Sequence, residues 1–389
     1  MNIDFFRYLP LEIIIEIVSR LPIRTIVTCK SVCKTWRNLI QTRAFVDSHL
    51  SKSSSGVVTC RISRYFKIFE FVDELDLDHH NRHYIPVTEF CCNKFMESSQ
   101  LEGSANGLLF LRSIINRNNL YICNPITREY IQLPYAGIFN SFSVLVTYGF
   151  GVCKMTGRYK VVRVLQECIR HPDTVDVVRI MKCVCHVHTI GTGIWRSIAP
   201  CAMLEHDCFS TAINGSLHWL VTDLQKGFKL ISCFDLETEI FSTFSPPPLM
   251  GRSENRTEFL LVALGGYLCV CDNTCEHEIV IWLMKEYGDE KSWTRGFVVR
   301  KSPEFLRGNF ELPNFVCPIK VFKNGDMLMA WFELYMVHYS LKTKAATRID
   351  VFGPYEDDND NFINVTAMLH NSSFLSLKSC FPMENVKLL

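Results

Sequence analysis

A turn followed at once by an apolar run recurs along most of this chain. Asn106-Gly107 stands before LLFL, Asn214-Gly215 before SLHWLV, Gly265-Gly266 before YLCVC and Asn324-Gly325 before DMLMAWF. Gly157, before RYKVVRVL, falls in the one wide gap, and Asn371-Ser372, before FLSL, extends the series. Successive marks lie 51, 57, 51, 59 and 47 residues apart. A second turn follows each of the first five marks, at Asn124 to Glu129, Gly191 to Gly193, Glu237 to Glu239, Gly288 to Glu290, and Thr343. Strands rich in aromatic or branched residues come next, such as Tyr130-Ile131, Trp195, Phe241 and Phe244, or Trp293 and Phe297. Turn-linked strands at a period near 50 suit a propeller, whose blades cover their apolar faces against one another and whose closure removes the faces an open stack would leave. Six marks predict an all-β propeller of six blades over residues 57–385. The last mark leaves 18 residues, too few for four strands, whereas residues 57–100 precede the first mark and include the strand-like RISRYFKIFEFV. The N- and C-terminal strands are therefore expected to share one blade.

Residues 7–50 have a different texture, with no glycine and prolines only at Pro10 and Pro22. Leu11, Ile14, Ile15, Val18 and Leu21 recur at helical spacing, and Pro22 stops that helix and opens a second. The second helix carries Ile23, Ile26, Val27, Lys30, Val32, Cys33, Trp36 and Leu39. Arg7, Arg20, Arg24, Lys30, Lys34, Arg37 and Arg43 outweigh Glu12, Glu16 and Asp47, so the segment is basic while the remainder is nearly neutral. Too many of its positions are apolar for one small core. It is either a helical cap on the following domain or a docking module whose exposed apolar face a partner covers.

The run Leu9-Pro10-Leu11-Glu12-Ile13-Ile14, then Ile17, then Ser19-Arg20-Leu21-Pro22, then Cys29-Lys30-Ser31-Val32-Cys33-Lys34-Thr35-Trp36-Arg37 resembles an F-box. That resemblance implies binding to the Skp-type adaptor of a cullin–RING ubiquitin ligase. It places Leu9, Pro10, Ile14, Ile17, Leu21, Pro22, Val27, Cys33 and Trp36 on or just beneath the adaptor surface. GSANGLLFL, YICNPITREYIQLP, YGFG, YKVVRV, TIGTGIWRSI, NGSLHWLV, FDLETEIFSTF and IWLMKEYGDEKSW are similar to landmarks of the plant F-box-associated domain. Val152-Cys153-Lys154 replaces that family's Phe-Asp-Pro turn, leaving the shape of this loop open. The expected organisation is an F-box over 7–50, a linker over 51–56 and a target-binding propeller over 57–385. The chain then acts as the substrate receptor of an SCF-type ligase, partnered by adaptor, cullin and RING subunits and by one target protein. Two alternatives stay open: a propeller that takes a small molecule or glycan in its channel, and a non-ligase interaction scaffold.

Lys plus Arg is 41 against 40 Asp plus Glu, so no global field draws in nucleic acid or an anionic membrane. The longest apolar run, Phe259 to Cys271, is broken by two glycines and is too short for a membrane helix. The N-terminus carries no signal-peptide pattern, and the 18 cysteines are irregularly scattered. They read as reduced thiols in a cytoplasmic or nuclear protein, which makes the glycosylation patterns at Asn214, Asn255, Asn364 and Asn371 incidental.

Cys183, Cys185, His186 and His188 form the obvious metal candidate, but in a strand the thiols share one face and the imidazoles the other, so four ligands cannot converge. The acidic stretches Asp73 to His83 and Tyr355 to Asp360 read as solvated loops. His218-Trp219 and Asp235 fall in strands, where packing is the better expectation. No nucleophile elbow, phosphate loop or dinucleotide fingerprint is present, so neither enzyme activity nor a cofactor is expected.

Overall fold

The structure is a computed structural model. It describes residues 9–61, 64–71, 84–92, 98–135, 137, 144–170, 177–199, 204–206, 210–223, 228–248, 259–275, 277–301, 316–331, 335–349, 351, 365–381 and 385–389. The chain forms two compact units, one built from residues 1–133 and 368–389 and the other from 134–367.

The first unit opens with four helices, α1 (Leu11–Val18), α2 (Ile23–Cys29), α3 (Lys34–Ile40) and α4 (Arg43–Lys52). Pro10 and Pro22 precede α1 and α2 with their ring-fixed φ near −55°. The sequence reads as one second helix through Leu39, but the chain breaks at Cys33, which is extended (φ −158°, ψ 167°). Thr28, Cys29, Ser31, Val32 and Cys33 are weak helix formers, so little favours continuing through them. Val18, Ile23, Ile26, Leu39, Ile40, Phe45 and Val46 supply the buried side chains of the helices. Thr42 caps α4 by accepting from the Phe45 amide at 3.3 Å. The expected linker begins inside this helix, because Lys52 is its last residue and reaches back to Glu16, Ser19 and Ser48.

Strands β1 (Gly56–Arg61), β2 (Tyr65–Phe71) and β3 (Tyr84–Cys91) form an antiparallel meander. The run RISRYFKIFEFV is thus two strands rather than one, with Arg64 N–H donating to Arg61 O at the turn. A second meander follows from β4 (Ser99–Ala105), β5 (Leu108–Ser113), β6 (Leu120–Asn124) and β7 (Glu129–Gln132). Val58, Phe66 and Ile68 of the first sheet pack against Leu101, Leu109 and Tyr121 of the second.

The second unit holds four more sheets. The first comprises β8 (Val144–Val152), β9 (Tyr159–Arg170), β10 (Val177–Thr189) and β11 (Trp195–Ile198). The next has a divided first strand, β12 (Leu204–His206) and β13 (Thr211–Ile213), both pairing with β14 (Ser216–Asp223), then β15 (Phe228–Asp235) and β16 (Phe241–Phe244). The last two are β17 (Phe259–Leu264), β18 (Tyr267–Asp272), β19 (Glu278–Met284) and β20 (Trp293–Arg300), then β21 (Val316–Val321), β22 (Met327–Trp331), β23 (Tyr335–Tyr339) and β24 (Ala346–Ile349). Apolar clusters bridge successive sheets, such as Val162, Cys185, Leu217 and Trp219.

The YGFG landmark has a packing reason. A Cβ on Gly149 would lie 2.6 Å from Leu217 Cδ1 and 2.7 Å from Trp219 Cζ2. The small residue in β8 thus lets the neighbouring sheet bring its largest buried side chain against the strand, and Trp219 Nε1 donates to Tyr148 O at 3.3 Å. The open question of the Val152-Cys153-Lys154 loop resolves as a compact turn. Gly157 N–H donates to Cys153 O, and the buried Cys153 thiol lies 3.2 Å from Leu236 O.

Each of the first five marks falls between the first and second strands of a sheet. Asn106 and Gly107 (φ 43° and 88°) and Asn214 and Gly215 (54° and 78°) take the two left-handed positions of a tight hairpin turn. The second turns join third to fourth strands, so both kinds lie at the same end of their sheet.

The chain then returns to the first unit. Strand β25 (Val365–His370) pairs with β1, giving the order β25-β1-β2-β3, so N- and C-terminal strands share a sheet as expected. The FLSL run after Asn371 is not a strand, because β1 already occupies the place beside β25. Residues 371–376 carry no regular structure and lead to a short helix, α5 (Leu377–Cys380), and a terminal strand, β26 (Lys387–Leu388), which pairs with β7.

Candidate functional site

The four helices leave much apolar surface uncovered. Leu11 is 54% exposed, Ile13, Ile17 and Val27 45% each, Val32 68% and Leu9 38%. Single exposed apolar residues are ordinary, but six large ones within 24 residues of chain are not. Of the nine residues expected at a docking surface, Leu9, Pro10, Ile17, Pro22, Val27 and Cys33 are exposed, while Ile14, Leu21 and Trp36 are half-buried. None is enclosed. Sequence reasoning omitted Leu11, Ile13 and Val32. The α1 sequence LEIIIEIV is apolar nearly all round, so its pattern does not reveal that Val18 turns inward while Ile13 and Ile17 form an outward i,i+4 stripe.

Another part of the helices meets the C-terminal segment. Phe374 is fully buried, with its ring centroid 6.2 Å from Phe45 and 5.6 Å from His49. Lys30 Nζ lies 4.5 Å from the same ring centroid. Burial pushes the Lys30 ammonium pKa down, and the Glu129 carboxylate opposes that. Burial likewise lowers His49 to about 4, keeping it neutral. This lysine belongs to the motif read as adaptor-binding, yet it points to the sheet side of its own chain.

Among the described residues, the sheet side chains singled out by the sequence are engaged in packing and hydrogen bonds. His218 is buried, with Nδ1 donating to Thr211 O (3.2 Å) and Nε2 accepting from the Tyr287 hydroxyl (2.9 Å). Burial lowers its pKa to about 4. Held neutral between a carbonyl and a phenol, the imidazole has no lone pair left to accept a substrate proton. Asp235 Oδ1 accepts from the amides of Glu237 and Thr238 and caps a turn. Cys185 lies in an apolar core, and His188 donates from Nδ1 to Ile194 O and packs on Trp195. Among the described residues, no three His, Cys, Asp or Glu side chains are grouped to hold a metal. The acidic stretches 73–83 and 355–360 both lie outside the described residues. Among the described residues, no helix is long and apolar enough to cross a membrane.

Comparison with known proteins decides the family. The F-box associated beta propeller domain matches residues 63–373, and the F-box domain matches residues 6–47. The chain belongs to the F-box proteins with an F-box-associated β-propeller. The six sheets are the propeller blades, and the four helices are the F-box region, which in this family implies binding to a Skp-type adaptor. Among similar proteins, all from Arabidopsis thaliana, F-box protein At3g07870 is 27% identical and covers 86% of this chain and 85% of its own length. F-box protein CPR1 is 25% identical, covering 84% and 82%. F-box/kelch-repeat protein At3g23880 is 27% identical, covering 77% and 81%.

Proposed function

We propose that this protein is the substrate-recognition subunit of an SCF-type ubiquitin ligase. The F-box helices bind the Skp-type adaptor, and the propeller recruits a target protein for ubiquitination and degradation. The observation that carries this reading is the run of exposed apolar side chains from Leu9 to Val32 on an F-box. Burial of a Leu, Ile or Val side chain contributes about 1.5–3 kcal/mol, so withdrawing several of these from water drives adaptor association. The receptor contributes no reacting group. It acts by proximity, holding a target lysine near the ubiquitin carrier and turning a bimolecular encounter into one within a complex.

The test is co-purification of the full chain with a Skp-type adaptor, beside a Leu9→Ala, Pro10→Ala double variant and a Val32→Glu variant. The intact chain is expected to retain the adaptor and both variants to lose at least tenfold in affinity, since charge on a buried apolar contact is costly. A folded chain that ignores the adaptor would overturn the reading and leave the helices as a cap.

A further inference from the structure

With the blades numbered along the chain, blade 1 is β25-β1-β2-β3, blade 2 is β4–β7, blade 3 is β8–β11 and blade 4 is β12–β16, followed by two more. Among the described residues, blade 1 alone has first and second strands that are not consecutive in the chain. Where the other blades turn from first strand to second, blade 1 has a cut: β25 ends at His370, and β1 begins at Gly56 after the F-box. Residues 371–377 fill the place of the missing turn. The evidence is a parallel between two pairs of neighbouring blades. In the second unit, a Cβ on Gly215 in the first turn of blade 4 would meet Lys154 Cβ, in the first turn of blade 3, at 2.9 Å. In the first unit, a Cβ on Gly107 in the first turn of blade 2 would meet Ser373 Cβ, in the C-terminal segment, at 2.0 Å. Glu237, in the second turn of blade 4, accepts from the amides of Met155 and Thr156 in blade 3. Likewise the second turn of blade 2 holds the C-terminal segment. Asn124 Nδ2 donates to Ser373 O (3.0 Å) and Leu375 O (2.7 Å). Glu129 accepts from the Leu377 amide (2.6 Å) and the Ser376 hydroxyl (3.1 Å).

Residues 371–377 therefore replace a turn on one side and receive the F-box on the other, through Phe374. We propose that this C-terminal segment is a latch that fixes the orientation of the F-box on blades 1 and 2. Its positioning residues are Lys30 and His49 on the helices, Phe374 on the segment, and Asn124 and Glu129 on blade 2. The latch goes beyond the ligase reading and rests on it only for its consequence: a fixed F-box gives the complex a fixed distance to span, whereas a swinging one lowers the effective concentration of target lysine at the carrier.

The test is single-molecule energy transfer in the full chain, with dyes placed through non-natural residues at the exposed positions Gln41 and Arg117. The intact protein is expected to give one narrow distribution. Phe374→Ala, and separately the helix-side pair Lys30→Ala, His49→Ala, are expected to widen it at least twofold. Adaptor affinity should stay within twofold, because Lys30 and His49 lie against the Phe374 ring and are not among the exposed apolar side chains. Should Phe374→Ala disturb the propeller, the helix-side pair decides, since it leaves every contact between segment and blade in place. An unchanged narrow distribution in the helix-side pair would overturn the latch. The readout needs no adaptor, so failure of adaptor binding would sink the ligase reading and leave this measurement intact.

Discussion

Asn124 and Asp235 occupy equivalent places at the start of second turns in blades 2 and 4, and their difference follows from their neighbours. Each side-chain Oδ1 accepts the amide two residues on, at 2.9 Å. Only at Asn124 does the other side-chain atom face two backbone carbonyls, those of Ser373 and Leu375, and a donor is required there. Buried histidines make the molecule sensitive to mild acid. Burial lowers His49 and His218 to about 4 and His370 to about 3. The unfolded chain, with ordinary values near 6.5, takes up these protons first, so stability is full above that pH and falls as pH drops towards 4. Each such histidine removes about 1.4 kcal/mol per pH unit across the window. Denaturant titrations between pH 7 and 4.5 should therefore show His49→Phe losing stability less steeply than the parent, by about one proton. Parallel curves would show that His49 is not held neutral.

At the scale of elements, the blades were legible because their turns demand unusual backbone. Left-handed pairs such as Asn106-Gly107 are chemically conspicuous, so the period shows even though strand sequences differ from blade to blade. Where no such residue marks a boundary, reading failed. Nothing conspicuous punctuates the chain at Cys33, and the F-box helices were miscounted. The FLSL run has the composition of a strand, and only the pairing of β25 with β1 explains why it is not one. The two demands on a turn glycine can be separated by experiment. Gly107 and Gly266 have nearly the same φ, 88° and 85°, but a Cβ at Gly266 meets nothing within 4 Å. Gly266→Ala should cost about 1 kcal/mol from backbone strain alone. Gly107→Ala should cost about 2–4 kcal/mol, because it also displaces Ser373 and the segment around it. Equal losses in thermal or denaturant unfolding would mean that the segment yields without cost.

At the scale of the whole molecule, the F-box and the propeller were both readable, but the join between them was not. Leu9, Pro10 and Val27 stand in a recognisable motif, whereas Phe374 lies 329 positions from Phe45 and reaches it only through the return of the chain. That return also fixes an order of events in time. Strand β1 leaves the ribosome early, and its partner β25 is made more than 300 residues later. At about 5–20 residues per second, β1 waits roughly 15–60 s with one edge unpaired. A chain stopped at Ile349 should accordingly be cut rapidly by protease within residues 56–133, and the full chain should resist; equal resistance would show that blades 1 and 2 stand without the C-terminus. Connectivity thus ties anchorage to completion: a chain that stops anywhere before Val365 carries its F-box helices without Phe374 to pack on them and leaves an edge of β1 open.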